Sequence, residues 1–342
     1  MPVATSDVGR SFGAGTGAES TPGVAARRSS VVWLHRYARL LAAATLILVA
    51  AGGMVTSTNS GLSVPDWPTT YGDNMFTFPV SKWVGGIFYE HGHRLIASTV
   101  GFLTIGLVVF LMLVEPRRWV RRLGWIALGV VILQGVLGGM TVIFLLPDAI
   151  SISHAGLAQI FFCLTVTMAL VTSRSWREPA AVPVDDARLR RRLVYLTALV
   201  YAQILLGATM RHTGGGLAIP DFPLSYGQVI PPFWNAPIAL HFAHRVGALF
   251  VTIYVLMTAA HIWRRHGGRL ELVRPVWALV LLVAVQVTLG ALVVLTGKQP
   301  VVNTMHVATG ALVLATSLVL TLRSFRARFG AMAMAQPAEA TR

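Results

Sequence analysis

The sequence predicts an all-α integral membrane protein of eight transmembrane helices, arranged as two tandem four-helix bundles related by a pseudo-twofold axis along the membrane normal. Three observations predict it: eight long apolar runs, basic residues gathered in alternate connections, and a repeat of the first half of the chain in the second.

Of the 342 residues, 55% are hydrophobic and 12% are charged, whereas a soluble chain carries about 25% charged residues. That composition argues against a water-soluble fold. The net charge of +15 does not mark a nucleic-acid binder, because the basic residues are nearly all Arg in short clusters between apolar runs, the pattern that orients helices in a lipid bilayer. Cys163 is the single cysteine. An intramolecular disulfide, a CxxC motif and a thiolate zinc site are therefore excluded, and any metal must be held by His, carboxylate or a cofactor.

A helix needs about 20 apolar residues to cross a bilayer. The runs at 38–57, 92–114, 123–145, 152–173, 193–210, 239–263, 275–296 and 303–322 each qualify. Residues 1–30, rich in Gly, Ser, Ala and Thr, have little to bury and are expected to form a disordered cytoplasmic tail. Residues 31–175 then make the N-terminal four-helix half, 176–190 a cytoplasmic linker, 191–325 the C-terminal half and 326–342 a second cytoplasmic tail. The small residues from Ala50 to Gly53 also suit a cleaved signal peptide; the first run has a counterpart in the fifth, which cannot be one, so it is expected to stay.

Orientation follows from Lys and Arg. All 28 except Lys82, Arg94, Arg211, Arg245 and Lys298 fall in the two tails or in the 115–122, 174–192 and 264–274 connections. Positive charge is retained on the cytoplasmic side, which puts those segments and both termini inside and makes a multi-pass protein of the cell membrane.

The repeat is direct. GLSVPDWPTTYG at 61–72 returns as GLAIPDFPLSYG at 216–227, and HGHR at 91–94 as HFAHR at 241–245; QGVLG from Gln134 returns as QVTLG from Gln286, and His154 and His306 keep the spacing of the two glutamines. Each half holds an even number of helices, so the two share one orientation.

His93 and His154 in the first half match His244 and His306 in the second, each near the outer end of an even-numbered helix. An ionisable group at membrane depth is costly and marks function. One such His can simply bond a helix end; four in matched pairs point to axial ligands of haem iron, two helices of each half supplying one porphyrin. Zinc normally needs a third protein ligand, which the pairs lack. All four histidines lie at one level, which does not suit a wire carrying electrons across the membrane.

The halves differ at one position. Glu90 lies three residues before His93, on the same helix face, where the second half has His241. A carboxylate beside one iron only singles out the first half for chemistry, as proton acceptor or as stabiliser of developing positive charge; its plainer reading is a residue favoured by the helix dipole.

EHGHR at 90–94, HFAHR at 241–245, the later histidines and the PDWP (65–68) and PDFP (220–223) loops together resemble the haem A synthase family, over residues 36–325. The resemblance implies that the first half binds the substrate haem O through His93 and His154, that His244 and His306 are the axial ligands of a haem b cofactor, and that Glu90 matches the family's essential glutamate. It implies an oxidoreductase acting on a CH3 group: the C8 methyl of haem O becomes a formyl group by successive hydroxylations, for haem A supply to cytochrome c oxidase. With water as the oxygen source, four electrons leave the substrate, and the second haem gives them an exit. An electron acceptor is then required. A haem O synthase as partner and a homo-oligomer are both compatible with the sequence. The farnesyl tail of haem O makes lateral entry from lipid natural.

Many bacterial relatives carry cysteine pairs in the outer loops, where this chain has Val64, Thr70, Ile219 and Ser225, so a thiol step is not expected. Arg94 and Arg245 can pair with haem propionates or extend to the outer interface. His91, His212 and His241 lie near the same surface; His35, His261 and His266 are expected to be solvated on the cytoplasmic side. Asp66 and Asp221 are expected to make turns. Two other classes compete: a bis-His di-haem cytochrome exchanging electrons with quinone, which leaves Glu90 unexplained, and a repeat-built transporter, which leaves the four histidines unexplained.

Overall fold

The structure, a computed structural model, describes residues 22–177 and 185–334. They form eight long helices, α1 (Pro22–Ser57), α2 (Gly86–Val114), α3 (Arg118–Ile143), α4 (Asp148–Thr172), α5 (Ala187–His212), α6 (Ala236–His266), α7 (Leu270–Leu295) and α8 (Pro300–Met334). Each contains a stretch long and apolar enough to cross a membrane. Among the described residues the only β pairing is two isolated bridges, Thr70 with Asp73 and Ser225 with Gln228.

Every apolar run became a helix, and nearly all the helices outreach their runs because the flanking polar residues continue the turn. Thus α5 begins six residues before its run, at a cap where the Asp186 side chain accepts a hydrogen bond from the Leu189 N–H. Asn235 caps α6 in the same way through Ile238 N. Helix α1 takes in residues 22–30, assigned above to the tail, and α8 takes in residues 326–334; positions 1–21, 178–184 and 335–342 of the expected tails and linker lie outside the described residues.

Within the first half, α1 packs on α2, α2 on α3, α3 on α4 and α4 back on α1; within the second, α5 to α8 close the same ring. Between halves, α1 meets α8, α4 meets α5, and α4 meets α8. Exchanging the halves leaves this set of contacts unchanged, as a pseudo-twofold relation requires. The two helices that meet across the centre of the junction, α4 and α8, are the best covered: half of the most apolar stretch of α8 and 44% of that of α4 are buried, against 11% for α7. On the outward faces Leu113, Phe102 and Leu281 are 79%, 63% and 65% exposed. Such apolar surface has no place in water and matches hydrocarbon.

The fully packed core is concentrated toward one end of each bundle, with a smaller cluster of Val49, Phe162, Ala311 and Ala315 between the halves. In the first half it runs through Leu34, Leu41, Leu107, Leu111, Val120 and Met168; in the second, through Leu189, Leu196, Val255, Ile262, Leu272 and Leu320. These residues lie toward the Arg-rich ends of their helices. At the opposite end, residues 92–98 of α2 and 244–248 of α6 are only half-buried.

Candidate functional site

The histidines occupy that loosely packed end. His93, His154, His244 and His306 stand six to eight residues inside the N-termini of α2, α4, α6 and α8, or about 9–12 Å at 1.5 Å per residue. His93 lies within electrostatic reach of His154, and His244 of His306, so the structure brings together the pairs read from the sequence. All four are half-buried, while the Nδ1 atoms of His93, His154 and His306 are fully buried and have no hydrogen-bond partner among the described residues. A buried ring nitrogen without a partner is unusual in a finished core. His244 differs: Gln203 Nε2 lies 3.0 Å from its Nδ1 and donates to its carbonyl oxygen at 2.7 Å. The repeated glutamines also touch the ligand helices. Gln134 donates to the His154 carbonyl at 2.9 Å, and Gln286 Nε2 lies 3.3 Å from His306 Nε2.

An imidazole pair from two helices of one bundle, set where the helices are only half-buried, is a donor set that fits a porphyrin iron. The fit extends to the backbone: each ring lies against a glycine of the preceding helix, Gly52 for His93, Gly138 for His154, Gly207 for His244 and Gly290 for His306.

The Pro-Asp loops cap this end. Asp66 accepts hydrogen bonds from Tyr71 N, Gly72 N and Thr69 Oγ1; Asp221 accepts from Tyr226 N and Gly227 N. Both are the turn-makers expected. Burial pushes the Asp66 carboxyl up, but these donors outweigh it and hold it below the ordinary carboxylate range. At Asp221 the Gly227 N–H is the leading cause of the same downward shift. Tyr71 and Tyr226 adopt matching left-handed backbones, φ +52° and +56°, and their hydroxyls donate to the Ser63 and Ala218 carbonyls. Trp67 lies flat on Gly139 of α3, next to the glycine that seats His154; a Cβ at 139 would stand 2.5 Å from the indole.

Arg94 and Arg245 fasten the loops to the ligand helices. Arg94 donates to the carbonyls of Val64, Asp66 and Thr69, and Arg245 to those of Ile219, Asp221 and Leu224. Their guanidinium groups are thus engaged by loop backbone in this structure. Glu90 joins the same knot: Oε1 accepts from Arg94 at 2.7 Å and Oε2 from Val64 N at 2.8 Å. His241, its counterpart, accepts from Ile219 N at 3.2 Å. The two residues share an anchoring role, and Glu90 alone adds negative charge. Removing Arg94 leaves that buried charge unpaired, so Arg94→Ala is expected to destabilise by about 3–5 kcal/mol. Arg245→Ala loses only neutral acceptors and should cost about 1–3 kcal/mol. Thermal unfolding of the two variants in detergent checks the order.

Two residues near the site were missed by sequence reasoning. Arg211 of α5 crosses to the other half, donating to the Gly53 carbonyl at 3.1 Å and to Ser57 Oγ at 3.0 Å, which also meets Asn303 and Thr304 of α8. Gln203 has no glutamine at the matching position, Leu48, so the repeat gave no signal for it. His91 is buried beside Thr70, Phe78 and Trp83. His212 is in electrostatic reach of His154. At the Arg-rich end of the bundles, His35 is half-buried near Thr172. His261 corrects the expectation of solvated histidines: it is 8% exposed, because Asp186 Oδ2 sits 2.7 Å from its Nε2 and 3.0 Å from His266 Nε2. Asp186 is held well below the ordinary carboxylate range; burial opposes this, and hydrogen bonds from His261, Leu189 N and His266 prevail. With Arg192 3.3 Å from His261 Nδ1, the trio ties the start of α5 to α6.

Comparison with known proteins shows what the chain is similar to. The chain is 34% identical over 262 residues, 73% of its length and 82% of the relative's, to a heme A synthase of Symbiobacterium thermophilum. It is 28% identical over 281 residues to a heme A synthase of Halalkalibacterium halodurans, covering 80% and 92% of the two chains. Over 353 residues it is 27% identical to a heme A synthase of Allorhizobium ampelinum, covering 91% and 93%. Residues 75–318 match the family described as COX15-CtaA, cytochrome oxidase assembly protein. With that match spanning most of the folded chain and both histidine pairs, the protein belongs to the COX15-CtaA family.

Proposed function

We propose that the protein is a haem A synthase that oxidises the C8 methyl of haem O to a formyl group. The observation that carries the reading is the pairing of His93 with His154 and His244 with His306 at the loosely packed end of two matched bundles, with a carboxylate beside one pair only. Relatives named heme A synthase support it over most of the chain. Residues 31–175 form the substrate half and 191–325 the cofactor half.

In this reading His93 and His154 bind and orient the iron of haem O. When held by His244 and His306, haem b supplies one-electron redox chemistry for the substrate's oxidation. The balance is a methyl group plus water giving a formyl group, four protons and four electrons, so an external acceptor takes the electrons onward. Glu90 holds negative charge one helical turn from His93; its two oxygens are fixed by Arg94 and Val64 N, which suits stabilising positive charge that develops on the oxidised carbon. The 61–72 loop, with Trp67 turned onto α3, covers the site from outside. Haem O synthase is the natural donor of the substrate, whose farnesyl tail favours entry between helices from lipid. A host that makes haem O but lacks a synthase tests the reading: expression of this chain should yield haem A in extracted membranes, and haem O unchanged in the presence of full-length protein would contradict it.

The same reading places the site on the outer side of the cell membrane, with both termini cytoplasmic, because the Arg clusters mark the opposite side. Reporter fusions in the 115–122, 174–192 and 264–274 connections are expected to report cytoplasm, and fusions near residues 70, 148, 225 and 298 the exterior. A cytoplasmic signal from both Pro-Asp loops would move all four histidines to the other side.

A further inference from the structure

Four glycines touch the four histidines, and their positions follow the repeat. Gly52 on α1 corresponds to Gly207 on α5 with the spacing of the Pro-Asp loops, and Gly138 on α3 to Gly290 on α7 with the spacing of the glutamines and later histidines. A Cβ added at Gly52 would stand 3.1 Å from His93 Cε1; at Gly138, 3.3 Å from His154 Cε1; at Gly207, 2.7 Å from His244 Cε1; at Gly290, 3.1 Å from His306 Cε1. In each case the nearest atom is the same carbon of the ring, between the two nitrogens. Carbon atoms pack at about 3.5–4.0 Å, so a side chain at Gly207 requires the ring to move, and one at Gly52, Gly138 or Gly290 requires it to give by a few tenths of an ångström. All four glycines are helical and none of them has a positive φ, so backbone freedom is not what they provide. What they provide is a flat seat that lets the imidazole edge stand against the neighbouring helix.

We infer that Gly52, Gly138, Gly207 and Gly290 are positioning residues that set the depth and plane of the four iron-ligating imidazoles. The inference rests on the haem reading given above and adds residues to it. The seat at Gly207 is the tightest, and its ring is also the least free to retreat. Gln203 holds His244 at both the ring nitrogen and the carbonyl, and Gln203 is itself pressed against Gly247, where a Cβ would lie 2.1 Å from its Oε1. A methyl group at 207 must therefore push the ring off its line, and an iron–nitrogen bond tolerates displacements of only about 0.2 Å. The rings of His93 and His154 have no partner at Nδ1, and that of His306 has only the longer 3.3 Å contact of Gln286 at Nε2, so these rings can yield by a few tenths of an ångström, and their glycines should be less sensitive.

The test uses full-length protein purified with its haem. Gly207→Ala is expected to lower the affinity for haem b about tenfold, as loss of a supporting residue does at metal sites, seen as less haem b per protein by pyridine haemochrome. In the haem that remains, the largest g value of the low-spin ferric signal should shift, reporting altered imidazole planes. Gly290→Ala should change the same two readings by less, and Gly52→Ala and Gly138→Ala should leave haem b content at the parent level. Gly129→Ala, at a helical position with open space around it, controls for helix effects. Should Gly207→Ala fail to purify as a monodisperse protein, the g values of Gly290→Ala decide. Unchanged haem b content and g values in both Gly207→Ala and Gly290→Ala overturn the inference, while a parent protein without haem b overturns the reading beneath it.

Discussion

Replacing His244 or His306 with Ala is expected to strip haem b from the purified protein, and the same change at His93 or His154 is expected to spare it. The argument is one of locality. Each pair sits on two helices of one bundle, and each bundle closes on itself through a ring of helix contacts. Losing one of two axial ligands weakens the iron site it belongs to, while the other bundle keeps its own pair, its own glycine seats and its own capping loop. Activity can fall in all four variants, because substrate and cofactor sites are both needed. The informative quantity is haem type and amount per protein after extraction. Loss of haem b from the His93 and His154 variants, with retention in the other two, would reverse the assignment of the halves and leave the two-site architecture standing.

Glu90→Gln is expected to reduce haem A formation by about 10²-fold or more, the scale of a lost charged group in catalysis, while haem b content stays near the parent level. Gln keeps the size of the side chain and an oxygen able to accept from Val64 N, so the loop anchor can survive. The negative charge cannot. This variant therefore separates the two functions that the structure superimposes on one residue, which Glu90→Ala does not, since Ala also removes the partner of Arg94. A second comparison sharpens the reading: His241→Gln changes the equivalent anchor in the cofactor half and should not reproduce the selective loss. Near-normal haem A formation by Glu90→Gln would leave Glu90 as an anchor only.

Much of this was legible in the sequence. Eight apolar runs gave eight helices, because a bilayer leaves a backbone few ways to satisfy its hydrogen bonds; the repeat gave the pairing of the halves and of the histidines. Helix ends were less legible. Arg-rich flanks such as Arg188 to Arg192 read as connection, yet they continue α5 from its Asp186 cap, since Arg is a good helix former that reaches polar surroundings from within a helix. The role of Arg94 and Arg245 as loop fasteners depended on where six carbonyl groups lie, which no motif encodes. The glycine seats were hidden for a related reason: a residue that works by lacking a side chain leaves no chemical signature, and Gly52 or Gly207 in an apolar run reads as ordinary helix-packing glycine. His261 escaped because its partner, Asp186, is 75 residues away along the chain.

The most direct test of the account is the haem content of the intact protein, purified from a host that makes haem O and extracted for identification of each haem. The expected result is a Soret band of low-spin haem, with haem b accompanied by haem O or haem A. Haem b alone, in protein saturated at both histidine pairs, would contradict the substrate assignment of the first half and favour an electron-transfer cytochrome, and the absence of any Soret band would contradict the account as a whole.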